Sequence, residues 1–250
     1  MAGNDAGGGR GQPSSQAVGT GDVHDLAVRL ADLARTLQDE DDVQKTLQAI
    51  VDTAVDTVPG AQNAALSVVE HRREVHTRAG TADVVFEADR AQYETGQGPC
   101  LDAVYEQQTV RLNDMSTEAR WPEFTQRAAE LGVGSMLSFQ LFVQQDNLGA
   151  LNLYSAEKDA FDDESEHVGL LFAAHAAVAM SGAQQQEHMS KAMSARDVIG
   201  QAKGILMERH KVTSDQAFTL LTRVSQESNT KLIEVARGLT ETGELKIRGR

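Results

Sequence analysis

Cys100 and Trp121 are the side chains of this sequence whose types and settings point to chemistry in a folded pocket. Cys100 follows the turn sequence Gly96-Gln97-Gly98-Pro99 at a predicted helix start, where a helix N-terminus lowers a thiol pKa and favours a redox-sensitive thiolate. Trp121 precedes Pro122 at another predicted helix start and is a candidate lining residue of a ligand pocket. The alternatives are a buried apolar cysteine and a tryptophan that anchors its helix to a sheet. Cys100 and Trp121 therefore form the candidate sensor pocket.

The remaining residues give no pattern of a metal centre or an enzyme. The seven histidines lack His-x-x-x-His or cysteine-pair spacing, so no preformed metal site is expected. His175 lies on an apolar helical pattern, which predicts a core or interface residue. The chain has no phosphate-binding loop, no Gly-x-Ser-x-Gly and no dinucleotide-binding glycine motif. We therefore expect no enzymatic activity, no metal and no cofactor, although an unidentified small-molecule ligand fits a sensor.

Cations on predicted helices near the end of the chain form a candidate surface for an anionic partner. Residues 190–250 carry 11 basic and 7 acidic side chains, a net charge of +4, whereas the whole chain of 250 residues has a net charge of −14. This asymmetry indicates an acidic body joined to a module for an anionic partner, or else a solvated helical face. The candidate residues for binding such a partner are Arg196, Lys203, Met207, Arg209, Arg223, Ser228, Asn229, Lys231 and Arg237.

Three amphipathic helices must position these cations. The first buries one face that includes Val198, Ala202 and Leu206. The second begins at the capping box Thr213-Ser214-Asp215-Gln216 and is expected to bury Ala217, Phe218, Leu220, Leu221 and Val224. The third is expected to start near Ser228-Asn229-Thr230, to bury Leu232, Val235, Ala236 and Leu239, and to stop at Gly243. Three short helices with one apolar face each predict a small bundle.

The preceding part of the chain combines strands and helices. Residues 1–21 are rich in Gly, Ser and Gln and predict a disordered tail. Val23, Leu26, Leu30, Leu33 and Leu37 form a helical seam typical of dimerisation or of a bundle. One sheet is predicted from the short apolar runs Ala64–Val69, Met136–Val143 and Leu148–Tyr154, the alternating run Glu74–Arg78 and the strand Thr109–Arg111. The runs Met136–Val143 and Leu148–Tyr154 flank Gln144-Gln145-Asp146-Asn147, which predicts an antiparallel hairpin. Helices are expected before Pro59-Gly60, at Pro99–Glu106 and at Pro122–Leu131.

A long helix is expected to connect the two parts. It starts at Asp162 or Asp163 and its pattern continues towards His210, unless it breaks near Ser181-Gly182. The longest apolar stretch, Val168–Met180, is shorter than the roughly 20 residues that cross a bilayer. No membrane contact is expected, and a single cysteine is consistent with the cytoplasm.

The C-terminal residues resemble a known family. The stretch from Arg196 to Arg209, with Asp215-Gln216-Ala217-Phe218 and Ser228-Asn229-Thr230-Lys231-Leu232, resembles the ANTAR family of RNA-binding transcription antitermination regulators over about 50 residues. The preceding region resembles a GAF sensor domain, on its fold pattern and on the segments Glu94–Cys100 and Arg120-Trp121-Pro122. The resemblance implies a homodimeric regulator that binds paired RNA stem-loops in a nascent transcript and favours an antiterminator hairpin. It makes the candidate residues from Arg196 to Arg237 the predicted RNA-binding residues.

The expected organisation is therefore an α+β protein. It has a disordered tail at 1–21, a GAF-like sensor and dimerisation domain with an antiparallel sheet flanked by helices at 22–185, and an ANTAR three-helix domain at 186–250, joined by the long connecting helix. Two alternatives remain open. The second and third helices resemble a helix-turn-helix, which would place Lys231 and Arg237 in a DNA major groove, although Glu234 and Glu241 would repel phosphates. A dimeric interaction scaffold would have no RNA affinity.

Overall fold

The computed structural model describes residues 42–70, 74–106, 109–144 and 146–245, which divide into two compact units. One unit contains residues 47–177, and the other contains residues 42–46 and 178–245. The predicted tail at 1–21 and the predicted seam from Val23 to Leu37 lie outside the described residues.

The first unit is built on a five-stranded antiparallel sheet. Its strands are β1 (Asn63–Glu70), β2 (Glu74–Gly80), β3 (Thr109–Leu112), β4 (Ser135–Val143) and β5 (Asp146–Ser155), in the spatial order β2-β1-β5-β4-β3. The predicted hairpin is confirmed: β4 and β5 pair from Ser135↔Ser155 to Val143↔Asp146, and Gln144 takes a positive φ of 57° in the turn. The strands β1, β4 and β5 are buried along most of their length, which explains their continuous apolar runs.

Helices cover this sheet. They are α1 (Val43–Thr57), α2 (Asp83–Thr95), α3 (Pro99–Tyr105) and α4 (Pro122–Glu130). Proline occupies the first turn of both α3 and α4, where its missing N–H costs nothing. The predicted helices at Pro99 and Pro122 are therefore confirmed, whereas α2 was not predicted. Helix α2 packs Val85, Ala88 and Ala91 into a core shared with Trp121 and Phe124.

The long helix α5 runs from Asp163 to His210 without a break at Ser181-Gly182. Asp162 caps it, because its carboxylate accepts the Ser165 backbone N–H at 2.9 Å while the Ser165 hydroxyl accepts the Asp162 N–H at 3.2 Å. Within the first unit this helix lies against the sheet so closely that a Cβ on Gly169 would be 2.3 Å from the Phe139 ring. His175, predicted as a core or interface residue, does not lie in the core of the chain, since it is exposed.

The second unit contains a three-helix core. The last turns of α5 pack with α6 (Ser214–Ser228) and α7 (Leu232–Thr242) around Ala202, Leu206, Ala217, Leu221, Ala236 and Leu239, all fully buried. The predicted capping box is present: the Thr213 hydroxyl accepts from the Gln216 N–H, and the Gln216 side chain accepts from the Thr213 N–H. Three alanines in the core allow the helices to approach closely.

Two details of this bundle differ from the prediction. Phe218 is 44% exposed rather than buried, because Ala217, Leu221 and Val224 define the buried face of α6 and Phe218 lies beside that face. Ser228 and Asn229 end α6 instead of starting α7. Asn229 has a left-handed conformation with φ of 49°, a backbone region that asparagine tolerates better than most residues and that suits a helix C-cap.

Candidate nucleic-acid interface and sensor core

The cations predicted from the sequence lie on the surface of the second unit. Arg196, Arg209, Arg223, Lys231 and Arg237 are exposed, and Lys203 is half-buried. Among the described residues of this unit, salt bridges join Lys191 to Glu187 and Lys211 to Glu208, and neither involves a predicted RNA-binding residue. Cations with exposed and unpaired head groups can contact phosphates without first breaking an ion pair.

Two of these cations share a groove with an aromatic ring. Arg196 and Lys203 line an open groove of about 720 Å³, and Phe218 lies at the same groove. The Lys203 ammonium nitrogen is 6.0 Å from the centroid of the Phe218 ring. Met207 is 38% exposed on the same helix. The arrangement combines two positive charges with apolar surface.

Three predicted residues have structural roles inside the bundle. The Ser228 hydroxyl donates to the Val224 carbonyl oxygen at 2.6 Å, so its proton is used within its own helix. Asn229 closes α6 through its backbone, and its side chain is exposed. The Arg209 guanidinium donates to the Gly243 carbonyl oxygen at the end of α7. Arg209 therefore holds the third helix in place as well as contributing charge.

The first unit contains a buried polar cluster centred on Asp89. Its two carboxylate oxygens accept hydrogen bonds from strands β1, β2 and β5 and from helix α2 itself. The donors are the Ser67 hydroxyl at 3.3 Å, the Thr77 hydroxyl at 2.7 Å, the Gln92 amide at 3.0 Å, the Asn152 amide at 3.0 Å and the Tyr154 hydroxyl. Tyr93 extends the cluster with contacts of 2.8 Å to Ser67 and 2.9 Å to Thr77.

Burial determines the protonation of this cluster. Removal of Asp89 from water raises its pKa from 3.8 to about 6, even though the hydrogen bonds from Tyr154, Thr77, Ser67 and Asn152 favour the carboxylate. Burial also raises the pKa of Tyr93 and Tyr154 well above the usual range of a phenol, and the nearby Asp89 adds to this effect. The phenols therefore stay neutral and donate their protons within the cluster.

Two buried polar atoms at the edge of this cluster lack a partner among the described residues, namely Asn152 Oδ1 and Ser138 Oγ. Ser138 on β4 is directly opposite Asn152 on β5 in the sheet register. A cross-strand pair of this kind with unused hydrogen-bonding capacity is a candidate contact for a polar group brought in by a ligand or water.

Cys100 belongs to this cluster as a buried cysteine, which was the alternative to a redox-sensitive thiolate. Its side chain is fully buried, its Sγ lies 3.5 Å from the Ser67 hydroxyl, and its backbone N–H donates to Gln92 Oε1 at 2.8 Å. Burial and the proximity of Asp89 raise the pKa of the Cys100 thiol to about 12. These effects outweigh the helix N-terminus, so the thiol stays protonated.

Trp121 has the anchoring role that was the alternative prediction. It is 4% exposed, its indole N–H donates to Asp102 Oδ2 at 3.2 Å, and the Arg120 guanidinium lies 4.2 Å from the centroid of its ring. It packs in the main core of the unit, whereas Cys100 packs in a smaller cluster with Val104 and Ala150. The structure therefore does not bring Cys100 and Trp121 together in one pocket.

The described residues contain no group of three or more His, Cys, Asp or Glu side chains that could hold a metal ion. No helix in the described ranges is both long and apolar enough to cross a bilayer.

Sequence comparison identifies both units. The sequence model of the GAF domain matches residues 40–181, more than half of the chain. The chain belongs to the GAF domain family. The model of the ANTAR domain matches residues 187–239, so an ANTAR domain follows the GAF domain, as the resemblance implied. These are sensory and regulatory domains, and the chain is a signal-sensing regulator with an RNA-binding antitermination role.

Solved structures resemble the fold of the GAF domain. The GAF domain of a phosphoenolpyruvate-protein phosphotransferase from Coxiella burnetii is 17% identical, with a TM-score of 0.52, and the match covers 66% of this chain and 98% of that one. The free methionine-R-sulfoxide reductase of Neisseria meningitidis, solved with its substrate, is 15% identical, with a TM-score of 0.51 and coverage of 68% and 95%.

A phytochrome photosensory core module from Stigmatella aurantiaca is 12% identical, with a TM-score of 0.58. The match covers 86% of this chain, which spans 46% of the phytochrome chain. Among curated proteins, none matches this chain significantly. At these identities the likeness concerns the fold of the GAF domain alone.

The Asp89 cluster was not predicted from the sequence, since Asp89, Gln92 and Tyr93 all lie on the unpredicted helix α2. A signal was present, because Val85, Ala88 and Ala91 recur at helical spacing after Thr81-Ala82-Asp83.

Proposed function

We propose that this protein is a homodimeric regulator that binds paired RNA stem-loops in nascent transcripts and promotes transcription antitermination. The observation that carries the proposal is that the helices matched by the ANTAR domain present Arg196, Lys203, Arg223, Lys231 and Arg237 without a salt bridge among the described residues. Unpaired bases in RNA loops are recognised by polar and apolar side chains, while phosphates are held by such cations.

DNA binding is the less favoured alternative. Helix α7 would be the recognition helix of a helix-turn-helix, and it exposes Glu234 and Glu241 beside Lys231 and Arg237. Two carboxylates on the helix that enters a major groove oppose the phosphate charges on both sides.

Exposed apolar side chains on α5 support homodimerisation. Within the second unit, Val178 is 64% exposed, Met189 is 61% exposed and Met193 is 64% exposed. Within the first unit, Leu170 is 44% exposed and Leu171 is 38% exposed. A helix that exposes this much apolar surface is stabilised when a second helix covers it. Two ANTAR domains in one dimer would hold two stem-loops at a high effective concentration.

Input is proposed to reach the GAF domain as a small molecule or a partner protein. We assign residues 22–185 to sensing and dimerisation and residues 186–250 to RNA binding, in a cytoplasmic protein without enzymatic activity and without membrane contact. The buried Cys100 thiol, with its raised pKa, is unsuited to serve as a nucleophile or a redox switch.

Fluorescence anisotropy tests the proposal. The full chain is titrated into a labelled RNA with two stem-loops, into the same RNA with scrambled loops, and into duplex DNA, each at several salt concentrations. We expect the RNA with paired loops to bind most tightly. The logarithm of its binding constant should fall with the logarithm of the salt concentration with a slope of about −2 to −4, if roughly three to five phosphates are neutralised. Equal or tighter binding of duplex DNA would favour the helix-turn-helix, and no binding to any probe would favour the scaffold.

A further inference from the structure

Phe218 is a large apolar side chain that the fold leaves outside the core. The neighbouring Ala217 and Leu221 are fully buried, whereas Phe218 is 44% exposed. The bundle fills its centre with alanines and leucines, so burial of this ring is not needed to close the core. Because the core of the bundle forms without this ring, the ring is available for binding.

The groove beside Phe218 has room and charge. Its lining includes the small residues Ala192, Ala195 and Gly200, and a Cβ added to Gly200 would meet nothing within 4 Å. Arg196 and Lys203 provide two positive charges, while Asp197 provides one negative charge. The net charge of the lining is therefore positive, which suits an anionic occupant.

Lys203 is free to serve such an occupant. Its ammonium nitrogen lies 6.0 Å from the Phe218 centroid, at the outer limit of a cation–π contact. It forms no salt bridge among the described residues of the unit. The Lys203 side chain can therefore turn towards a phosphate without breaking a salt bridge among the described residues.

We infer that this groove holds one unpaired base of an RNA loop, stacked on the Phe218 ring, with the flanking phosphates at Arg196 and Lys203. The inference rests on the proposed RNA binding and names the site within the ANTAR domain that receives a base. A ring beside two cations matches a nucleotide, which joins a flat π surface to a negative charge.

The test compares Phe218→Ala, Phe218→Leu and Phe218→Trp in the full chain, using anisotropy with the two-stem-loop RNA. Loss of base stacking should weaken binding about 5- to 150-fold in the alanine and leucine variants, whereas tryptophan keeps a ring and should bind within about threefold of the parent. Phe142→Ala is the matched control, since Phe142 in the GAF domain is 43% exposed and should leave RNA affinity unchanged. Circular dichroism checks that every variant is folded, and the leucine variant retains apolar volume should the alanine variant unfold.

RNAs with an abasic site at each loop position in turn identify the stacked base. At one position the abasic change should weaken binding to the parent but not further weaken binding to Phe218→Ala, because both changes remove the same contact. If the losses add at every position, or if the leucine variant binds as tightly as the parent, the inference is wrong while the proposed function stands. A change of oligomeric state in Phe218→Leu, measured by light scattering, would make the groove a subunit contact and overturn the inference. Failure of the parent to bind any RNA would overturn the proposed function and the inference together.

Discussion

Replacement of Asp89 by asparagine should change how stability depends on pH. Burial raises the pKa of Asp89 from 3.8 to about 6, so the folded protein holds this proton more tightly than the unfolded chain does. The unfolding free energy should therefore fall as the pH rises through this window. The difference between the two pKa values corresponds to about 3 kcal/mol of unfolding free energy. About 2 kcal/mol of this is lost between pH 4.5 and pH 7.5.

Asparagine has nearly the same shape and carries no charge. It loses some hydrogen-bond acceptance from the five donors around Asp89, which should shift stability by an amount that does not depend on pH. Other carboxyl groups contribute equally to both proteins, including Asp114 and Glu118, whose pKa is lowered by their hydrogen bonds. The stability of Asp89→Asn relative to the parent should thus improve by about 2 kcal/mol from pH 4.5 to 7.5.

Urea unfolding at constant ionic strength measures this difference. Trp121 is the single tryptophan, is buried in the same unit and reports its unfolding by fluorescence. Asp146→Asn is the control, because Asp146 is exposed on β5 of the same sheet. Parallel pH profiles for the parent and Asp89→Asn would refute the argument that burial of this carboxylate outweighs its hydrogen bonds.

Four further predictions concern single positions. Cys100 should resist iodoacetamide at pH 8 in the folded protein and react only after denaturation, because its thiol is fully buried and has a pKa raised to about 12. Mass spectrometry measures the labelling, and rapid labelling of the folded chain would contradict this prediction. Gly149→Ala should destabilise the GAF domain by about 3 to 5 kcal/mol in urea unfolding, since the residue has φ of 148° and its Cβ would lie 1.8 Å from the Ser67 carbonyl oxygen. Gly182→Ala, where a Cβ meets nothing within 4 Å, should instead stabilise helix α5 by up to about 1 kcal/mol, and a loss of stability there would argue for a close contact with a second chain. Met189→Glu should shift the protein towards monomer in light scattering, because Met189 is 61% exposed on α5; an unchanged mass would remove this part of the helix from the proposed dimer contact.

The sequence predicted the elements whose burial follows a simple period. The hairpin of β4 and β5, the capped start of α6 and the unbroken α5 are all visible in the spacing of apolar residues, in Thr213-Gln216 and in the absence of proline. Local rules suffice there, because each signal acts within a few residues.

Helix α2 gives a weaker signal under the same rules. Two of its five buried residues, Asp89 and Gln92, are polar and break the apolar stripe. The hydrogen bonds that permit the burial of Asp89 come largely from strands that are distant in the sequence. Local sequence rules cannot predict these bonds. The candidate sensor pocket was incomplete for this reason, since it contained Cys100 but none of the residues that set the pKa of Cys100.

In the ANTAR domain the cations were placed correctly on the surface, but the roles of polar and aromatic residues were not. An apolar residue next to a buried face is predicted to be buried, yet Phe218 lies beside the face of α6 that Ala217 and Leu221 bury and stays exposed. Ser228 was expected at a helix start. Its hydroxyl instead donates a hydrogen bond to the Val224 carbonyl oxygen of its own helix, an interaction that competes with capping.

The order of strands in the sheet also has a consequence for biosynthesis. Strand β5 is central in the sheet but is the last of the five strands in the chain, and it joins β1 to β4. During translation, β1 can pair with β2 at once. The opposite edge of β1 stays unpaired after Glu70 has been synthesised, until Asp146 and the rest of β5 leave the ribosome. At ribosomal speed this interval lasts on the order of 4 to 15 s, during which the nascent chain exposes an apolar strand edge to chaperones and to neighbouring nascent chains.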